Sequence, residues 1–377
     1  MRIVIAGGGV IGLLTAISCV NAGHSVIVLD QSDIPFSGAA SWDRHRALRA
    51  LHLGDPHATS AAVRAHHRWQ DLEQLLAVRC YQQVGALAVL PAVDLPGAHD
   101  LLASAGSRPR VIGPGQLAAA YPHIRFPAGA GAVVESLAGV LLADRLLSAC
   151  ADWLRRQSRA VLRPHCRVVS VKEESPAVLL AGGELVGGDA VLLATGPWSR
   201  ALLPARLADR LVLHRQSMLY LQVPAGDAAA WSATPSIRSI GRDSGTWLIP
   251  PVADTPLKIS AASACRIAAA VDGSQTPARW REHLTEVAAA AIPGFDTSWL
   301  AGARDCYYLA DASGGPVLAV LASQVVAYAA CGGASFKFAP LIARALTARL
   351  TGGEAAPTGL PAIDSHFQAR PAMPGAS

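Results

Sequence analysis

The opening thirty residues restrict the fold more than any other stretch of the chain. Arg2 to Ala6 is an apolar strand that runs into Gly7-Gly8-Gly9-Val10-Ile11-Gly12. The chain continues through helix-forming residues from Leu13 to Val20 and returns as a second strand, Ser25 to Leu29, ending on Asp30. Strand, glycine turn, helix, strand and acid in that order specify a βαβ unit, two parallel strands joined by a crossover helix. Gly7 permits the tight turn, Gly9 lets a pyrophosphate approach the backbone, and Gly12 lets the helix lie close to the strand. Asp30 is placed to accept from a ribose hydroxyl. The free N–H groups at the helix start then face the phosphates. The pattern predicts dinucleotide binding on an α/β scaffold.

With 377 residues the chain is too long for one simple core, and a two-domain enzyme is the ordinary expectation. The net charge of +5 arises from 32 basic and 27 acidic residues with no run of five like charges, which argues against a nucleic-acid arm or a membrane patch. Aromatic residues make up 5% of the chain and no basic stretch alternates with them, so bases have no stacking platform. The seven cysteines form no CxxC pair and no clustered Cys/His set, and His66-His67 points its two rings to different faces of a helix. No metal is expected. The first strand is too short and glycine-rich a lead-in for a signal peptide, and the chain reads as cytoplasmic. The uncharged stretch between Asp311 and Lys337 is broken by glycine and proline into Val317 to Leu321 and Val325 to Ala329, which reads as buried strands rather than a membrane span.

Further elements follow from periodicity. Gln31 to Leu53 reads as loop and short helix, His57 to Val78 as a helix and Ala86 to Leu90 as a strand, with short helices between Pro91 and Pro127. Leu141 to Gln157 reads as a helix. Arg167 to Val171 and Ala177 to Leu180 read as a strand pair of the first domain, and Asp189 to Gly196 as a buried strand ending in a glycine turn. Arg215 to Val223, Thr246 to Ile249 and Leu257 to Ala261 are alternating strands. Thr276 to Ala291 and Phe338 to Leu350 are helices, and the tail from Gly352 is a loose end.

The chain resembles the FAD-dependent amine oxidases of the D-amino-acid oxidase group, most of all the monomeric sarcosine oxidase, N-methyltryptophan oxidase and nikkomycin-pathway imino acid oxidase branch. Four ordered blocks carry the likeness: the glycine fingerprint; Asp43-Arg44-His45-Arg46-Ala47-Leu48-Arg49; the strand ending Ala194-Thr195-Gly196-Pro197-Trp198; and the stretch from Cys306 to Leu350. In the last, Asp305-Cys306-Tyr307-Tyr308 is similar to the segment whose cysteine sulfur is bonded to the flavin. Gly332-Gly333-Ala334-Ser335-Phe336-Lys337-Phe338 is similar to the glycine-rich loop and Phe-Lys-Phe motif that cover the flavin ring. The chain departs from the family at Ser335, where a glycine is usual, and at Ala334, where a histidine is usual. It also has Ala262 where sarcosine oxidases have a histidine, which speaks against sarcosine as the substrate.

The resemblance implies an α/β protein with a Rossmann-like FAD-binding domain and a second, mostly antiparallel β-sheet substrate domain, a glutathione-reductase-2-like flavoprotein fold. The implied division is 1–80, 146–213 and 307–365 for FAD, 81–145 and 214–306 for substrate, and 366–377 as tail. Arg49 and Lys337 correspond to the family's carboxylate binders; chemically, arginine offers a planar fork and lysine a point charge. Lys258 corresponds to the cation that stabilises negative charge developing on oxygen. Cys306 corresponds to the covalent FAD tether, with His45 and Arg46 beside the isoalloxazine. Gly7, Gly9, Gly12, Asp30, Val169, Gly196, Gly332, Gly333, Phe336 and Lys337 are the remaining cofactor positions. Tyr308 and Trp247 are implied walls of the substrate pocket. By the residues alone, Arg49 could serve a structural salt bridge, Lys337 could snorkel from a strand end, Lys258 could face solvent and Cys306 could be a buried filler.

The function implied is oxidation of the C–N bond of a small amino or imino acid to an imine, with O2 as acceptor and H2O2 as product, by a monomer or small homo-oligomer. Two other readings stay open: a dehydrogenase of the same fold with a non-oxygen acceptor, and a flavin-binding protein without turnover.

Overall fold

A computed structural model describes residues 1–172, 175–241, 245–312, 316–330, 332, 335–353, 357–361 and 363–364. The expected loose tail, 366–377, lies outside the described residues, as do Gly333 and Ala334. The chain divides into two compact units: unit 1 is Met1–Trp42, Asp144–Leu213 and Tyr307–Ser377, and unit 2 is Asp43–Ala143 and His214–Cys306.

Unit 1 is built on a six-stranded sheet in the order Val317–Ala322, Val325–Ala330, Ala190–Leu193, Arg2–Ala6, Ser25–Leu29, Ala160–Arg163. Every pairing is parallel except the hairpin of the first two strands. The inner strands are continuous apolar runs because both faces are covered; Ile3, Val4, Ile5 and Ala6 are all fully buried. Helix Val10–Asn21 packs against the terminal helix Ser335–Thr351, and the Cys19 thiol meets the Thr347 hydroxyl there at 3.5 Å. Burial pushes the Cys19 thiol up to about 11, so it behaves as a small apolar filler. The stretch read as two β-like runs is that edge hairpin, and no helix among the described residues is long and apolar enough to cross a membrane. A separate antiparallel sheet, Val168–Lys172, Ala177–Leu180 and Leu185–Gly187, covers part of this unit's core.

Unit 2 carries the mostly antiparallel sheet that was expected. Nine strands are present, eight in the order Cys265–Ile267, Leu211–Leu221, Leu257–Ser260, Thr246–Ile249, Ser236–Ile240, Ala86–Pro91, Ala130–Glu135, Arg110–Ile112, with Leu300–Asp311 also paired to Leu211–Leu221. Ser236–Ile240 and Ala86–Pro91 run parallel; the other registered pairs are antiparallel. The alternation of the strands sorts their side chains: Leu219, Leu221, Leu248, Leu257 and Ile259 enter the apolar core with Trp231 and Leu284, and the residues between them face the other way.

The structure differs from the sequence reading at three places. Residues 43–80, assigned to the first domain, group with unit 2. Arg46–Leu48, read as loop, is a strand hydrogen-bonded to Gly139–Leu141, which also pairs with Tyr81–Gln82, and this small sheet anchors the segment. Ser335-Phe336-Lys337, read as the end of a loop, forms the first turn of the terminal helix, which starts at Ser335 rather than Phe338.

Candidate functional site

In unit 1 the glycine turn has the shape its sequence demands. Gly7 adopts φ +111°, and a Cβ there would lie 2.3 Å from the carbonyl oxygen of Ala194, just past the adjacent strand Ala190–Leu193. A Cβ on Gly12 would lie 1.9 Å from the Gly7 carbonyl oxygen, so helix and turn touch through bare backbone. The Asp30 carboxylate accepts from the Gly8 amide at 2.7 Å through Oδ2 and from the Ser32 amide at 2.9 Å through Oδ1. Burial pulls its pKa up while these amides oppose the rise. As a carboxylate it can accept further donors, such as a hydroxyl. Helix Val10–Asn21 has Gly9 at its N-cap and no acid in its first turn; the Val10 amide donates to Ser41 Oγ at 3.0 Å, and the positive end of the helix favours an anion. These features fit the pyrophosphate and ribose of a dinucleotide.

The other unit 1 candidates occupy varied settings. Gly196 opens a short 3-10 helix at φ +56°. Gly332, at φ +53°, donates its amide to the Leu309 carbonyl at 3.0 Å. Val169 is exposed beside a bulge in the separate sheet. Phe336 and Lys337 are half-buried, with the Lys337 ammonium 5.7 Å from the Phe338 ring centre. Tyr308 is half-buried in strand Leu300–Asp311.

Unit 2 holds a buried charged cluster. Tyr220 and Lys258 are register partners on adjacent strands, and Ile249 flanks Lys258 on the other side. Both side chains emerge from the face opposite the apolar core. Lys258 is 2% exposed, and its ammonium donates to Asp43 Oδ2 and, at 3.1 Å, to the His45 carbonyl. The Tyr220 hydroxyl donates to the other Asp43 oxygen at 2.6 Å. The ammonium also stands 5.9 Å from the ring centres of Tyr220 and Trp247. Burial alone would raise the Asp43 pKa, but Lys258, Arg46 and the Tyr220 hydroxyl hold the carboxyl well below its usual range. Burial, reinforced by Arg46, draws the Lys258 amine down against the opposing pull of Asp43.

Next to this pair, the Arg46 guanidinium donates to the Cys306 sulfur at 3.9 Å. His45 is fully buried, and burial together with the Lys258 charge lowers its imidazole to about 3, so it is neutral at physiological pH. Arg49 directly follows the short strand Arg46–Leu48. Burial and the nearby charge of Arg238 bring its guanidinium down to about 10, against the pull of Glu135, and it stays cationic. Glu135, itself 2% exposed, fixes the backbone beyond Arg49 by accepting from the Ala50 amide at 2.5 Å and the Leu51 amide at 3.3 Å.

The structure therefore brings together Lys258, Arg46, His45, Cys306 and Trp247 in unit 2, whereas Gly7, Gly9, Gly12, Asp30, Gly196 and Lys337 belong to unit 1. Sequence reasoning gave no role to Asp43, Tyr220 or Glu135. Asp43 heads the second block, and Tyr220 alternates with buried leucines, so both carried a signal.

A family model described as FAD dependent oxidoreductase matches residues 2–349. Among curated proteins, mouse peroxisomal sarcosine oxidase is 24% identical over 203 residues, covering 53% of this chain and 51% of that protein. Glycine oxidase of Pseudomonas putida is 28% identical over 212 residues, covering 54% of this chain and 57% of that protein. The chain thus spans about half the length of the curated relatives it matches. Among solved structures, a modified fructosyl peptide oxidase from Aspergillus nidulans superposes with a TM-score of 0.79 at 19% identity, covering 93% of this chain and 90% of that one, a likeness of fold.

Proposed function

We propose that this chain, a member of the FAD dependent oxidoreductase family, oxidises the C–N bond of a small amino or imino acid and passes the electrons to O2. The substrate loses a hydride equivalent from carbon and a proton from nitrogen and leaves as an imine; O2 takes up the two electrons and two protons as H2O2. FAD, when bound, supplies the two-electron relay between these half-reactions. The observation that carries the reading is a buried lysine, held by an ion pair, in the same cluster as a buried arginine–cysteine contact.

The residues divide the work. Gly7, Gly9, Gly12 and Asp30 receive the dinucleotide part of FAD on unit 1, with Val169, Gly196, Gly332, Gly333 and Phe336 as further cofactor positions. Arg49 binds the substrate carboxylate through its fork and Lys337 adds a second positive charge, so that binding energy remote from the reacting bond orients it. Trp247 and Tyr308 wall the pocket. Lys258 offers a fixed cation to the negative charge that develops on oxygen. Neutral His45 lines the ring site without adding charge, and Cys306, in contact with Arg46, makes the covalent tether to the flavin. We place the chain in the cytoplasm, as a monomer or small homo-oligomer.

The test is to incubate the purified holoprotein in air with primary, N-methyl and cyclic amino acids. One class is expected to give H2O2 in a one-to-one ratio with the carbonyl formed on imine hydrolysis. Turnover with an artificial electron acceptor but not with O2 would replace the oxidase by a dehydrogenase, and no turnover with either would leave a flavin-binding protein.

A further inference from the structure

We propose that Asp43 and Tyr220 are a positioning pair for Lys258, holding its amine charged and aimed in one direction so that a buried cation is always ready for the oxygen half-reaction. The inference rests on the role given to Lys258 above and adds to it the residues that make that role possible. A lysine on a strand has four rotatable side-chain bonds and, in an apolar setting, loses its proton. Here the ammonium is 2% exposed, and two directional acceptors, Asp43 Oδ2 and the His45 carbonyl, fix where it points. Asp43 is in turn held at its other oxygen, Oδ1, by the Tyr220 hydroxyl at 2.6 Å and by the Arg44 amide at 2.8 Å. Tyr220 in turn is set directly across the sheet from Lys258 by backbone register. The three side chains close a ring of contacts that begins and ends on adjacent strands.

The surrounding charges decide what the carboxylate does. Arg46 and Lys258 are both cations near Asp43, Cys306 lies beyond Arg46, His45 is neutral, and the Arg304 charge acts on Tyr220. Asp43 is thus the anion that offsets two buried cations, and with Asp43→Asn the mutual repulsion of Lys258 and Arg46 is left uncompensated. Since an arginine does not give up its proton in this range, Lys258 is the group that neutralises.

Two readouts test this. In protein carrying isotope-labelled lysine side chains, the Lys258 resonance is identified by its loss in Lys258→Met and followed with pH by NMR. In Asp43→Asn it is expected to deprotonate at least one pH unit lower than in the parent, about a tenfold change in proton affinity. Tyr220→Phe, which keeps the ion pair, shifts it in the same direction by less, and serves where Asp43→Asn fails to accumulate. In rapid mixing of the reduced holoprotein with O2, Asp43→Asn reoxidises progressively more slowly above that new ionisation while its reduction by substrate changes little, and Asp43→Glu recovers part of the rate. An unchanged Lys258 titration in both variants, or a slowing equal at every pH, overturns the positioning pair. Lys258→Met that reoxidises as fast as the parent overturns instead the role of Lys258 on which the pair depends.

Discussion

Gly7 offers the sharpest perturbation of the cofactor turn, because both its dihedral and its surroundings exclude a side chain. At φ +111° it lies outside the regions open to residues with a Cβ, and forcing one into such a conformation costs about 1 to 3 kcal/mol. The added methyl would also stand 2.3 Å from the Ala194 carbonyl oxygen, 2.7 Å from its carbon and 3.1 Å from the Thr195 nitrogen. These are backbone atoms just past the end of the parallel strand Ala190–Leu193 and cannot rotate away, so overpacking adds a further penalty of about 1 to 3 kcal/mol. If Gly7→Ala relaxes locally, a total of about 2 to 6 kcal/mol appears as weaker FAD binding, roughly 30-fold to 10⁴-fold at 1.4 kcal/mol per decade. If it does not relax, the loss appears in folding, where a domain has only about 5 to 15 kcal/mol to lose. The assay is FAD titration of apoprotein by fluorescence quenching in a Cys306→Ala background, where the cofactor exchanges, paired with thermal unfolding. Gly115→Ala is the control: it lies in a helix with nothing within 4 Å of the added Cβ, and is expected to be neutral or to stabilise by up to about 1 kcal/mol. A Gly7→Ala protein that binds FAD and melts like its parent would refute the description of the turn.

Three other outcomes concern His45, the carboxylate binders and Cys306. His45 has its folded pKa lowered to about 3 by burial, so the unfolded chain binds the extra proton between that value and its ordinary one near 6.5; stability therefore falls on acidification, by about 2 kcal/mol at pH 5. His45→Asn should flatten the decline of Tm between neutral pH and pH 5, and an unchanged slope contradicts the assignment. Arg49→Lys keeps the charge but loses the fork, and a lost charged hydrogen bond of about 1.5 to 3 kcal/mol should lower kcat/KM by roughly 10- to 150-fold, mainly through KM. Lys337→Gln should act in the same direction, and a loss confined to kcat in both variants would exclude a carboxylate-binding role. Acid precipitation of the holoprotein should leave a yellow pellet, and Cys306→Ala should release free FAD to the supernatant; FAD released from the unaltered protein rules out the tether.

How much of this was legible beforehand depends on the range of the interactions. The βαβ unit could be read residue by residue because its strands, buried on both faces, are unbroken apolar runs, and because the contacts of Gly7 and Gly12 are local or between neighbouring strands. Ala160–Arg163 escaped notice as the outer parallel strand: an edge strand that is half-buried on most positions carries little periodic signal. Arg46–Leu48 was missed because three residues cannot display an alternation, and its pairing partner lies far along the chain. Lys258 could be singled out, but its partners could not. Asp43 is 215 residues away from it and Tyr220 is 177 residues from Asp43, so only the register of the sheet reveals that they meet. The terminal helix was placed three residues late because the run Ser335-Phe336-Lys337 was read as loop, whereas the backbone is already helical there.

The most direct trial of the oxidase assignment is to mix oxygen-free holoprotein with a panel of amino and imino acids and watch the visible absorption of its flavin. Bleaching by one chemical class, reversed on admitting O2 with release of an equal amount of H2O2, is the expected result. A spectrum that no member of the panel bleaches would contradict it.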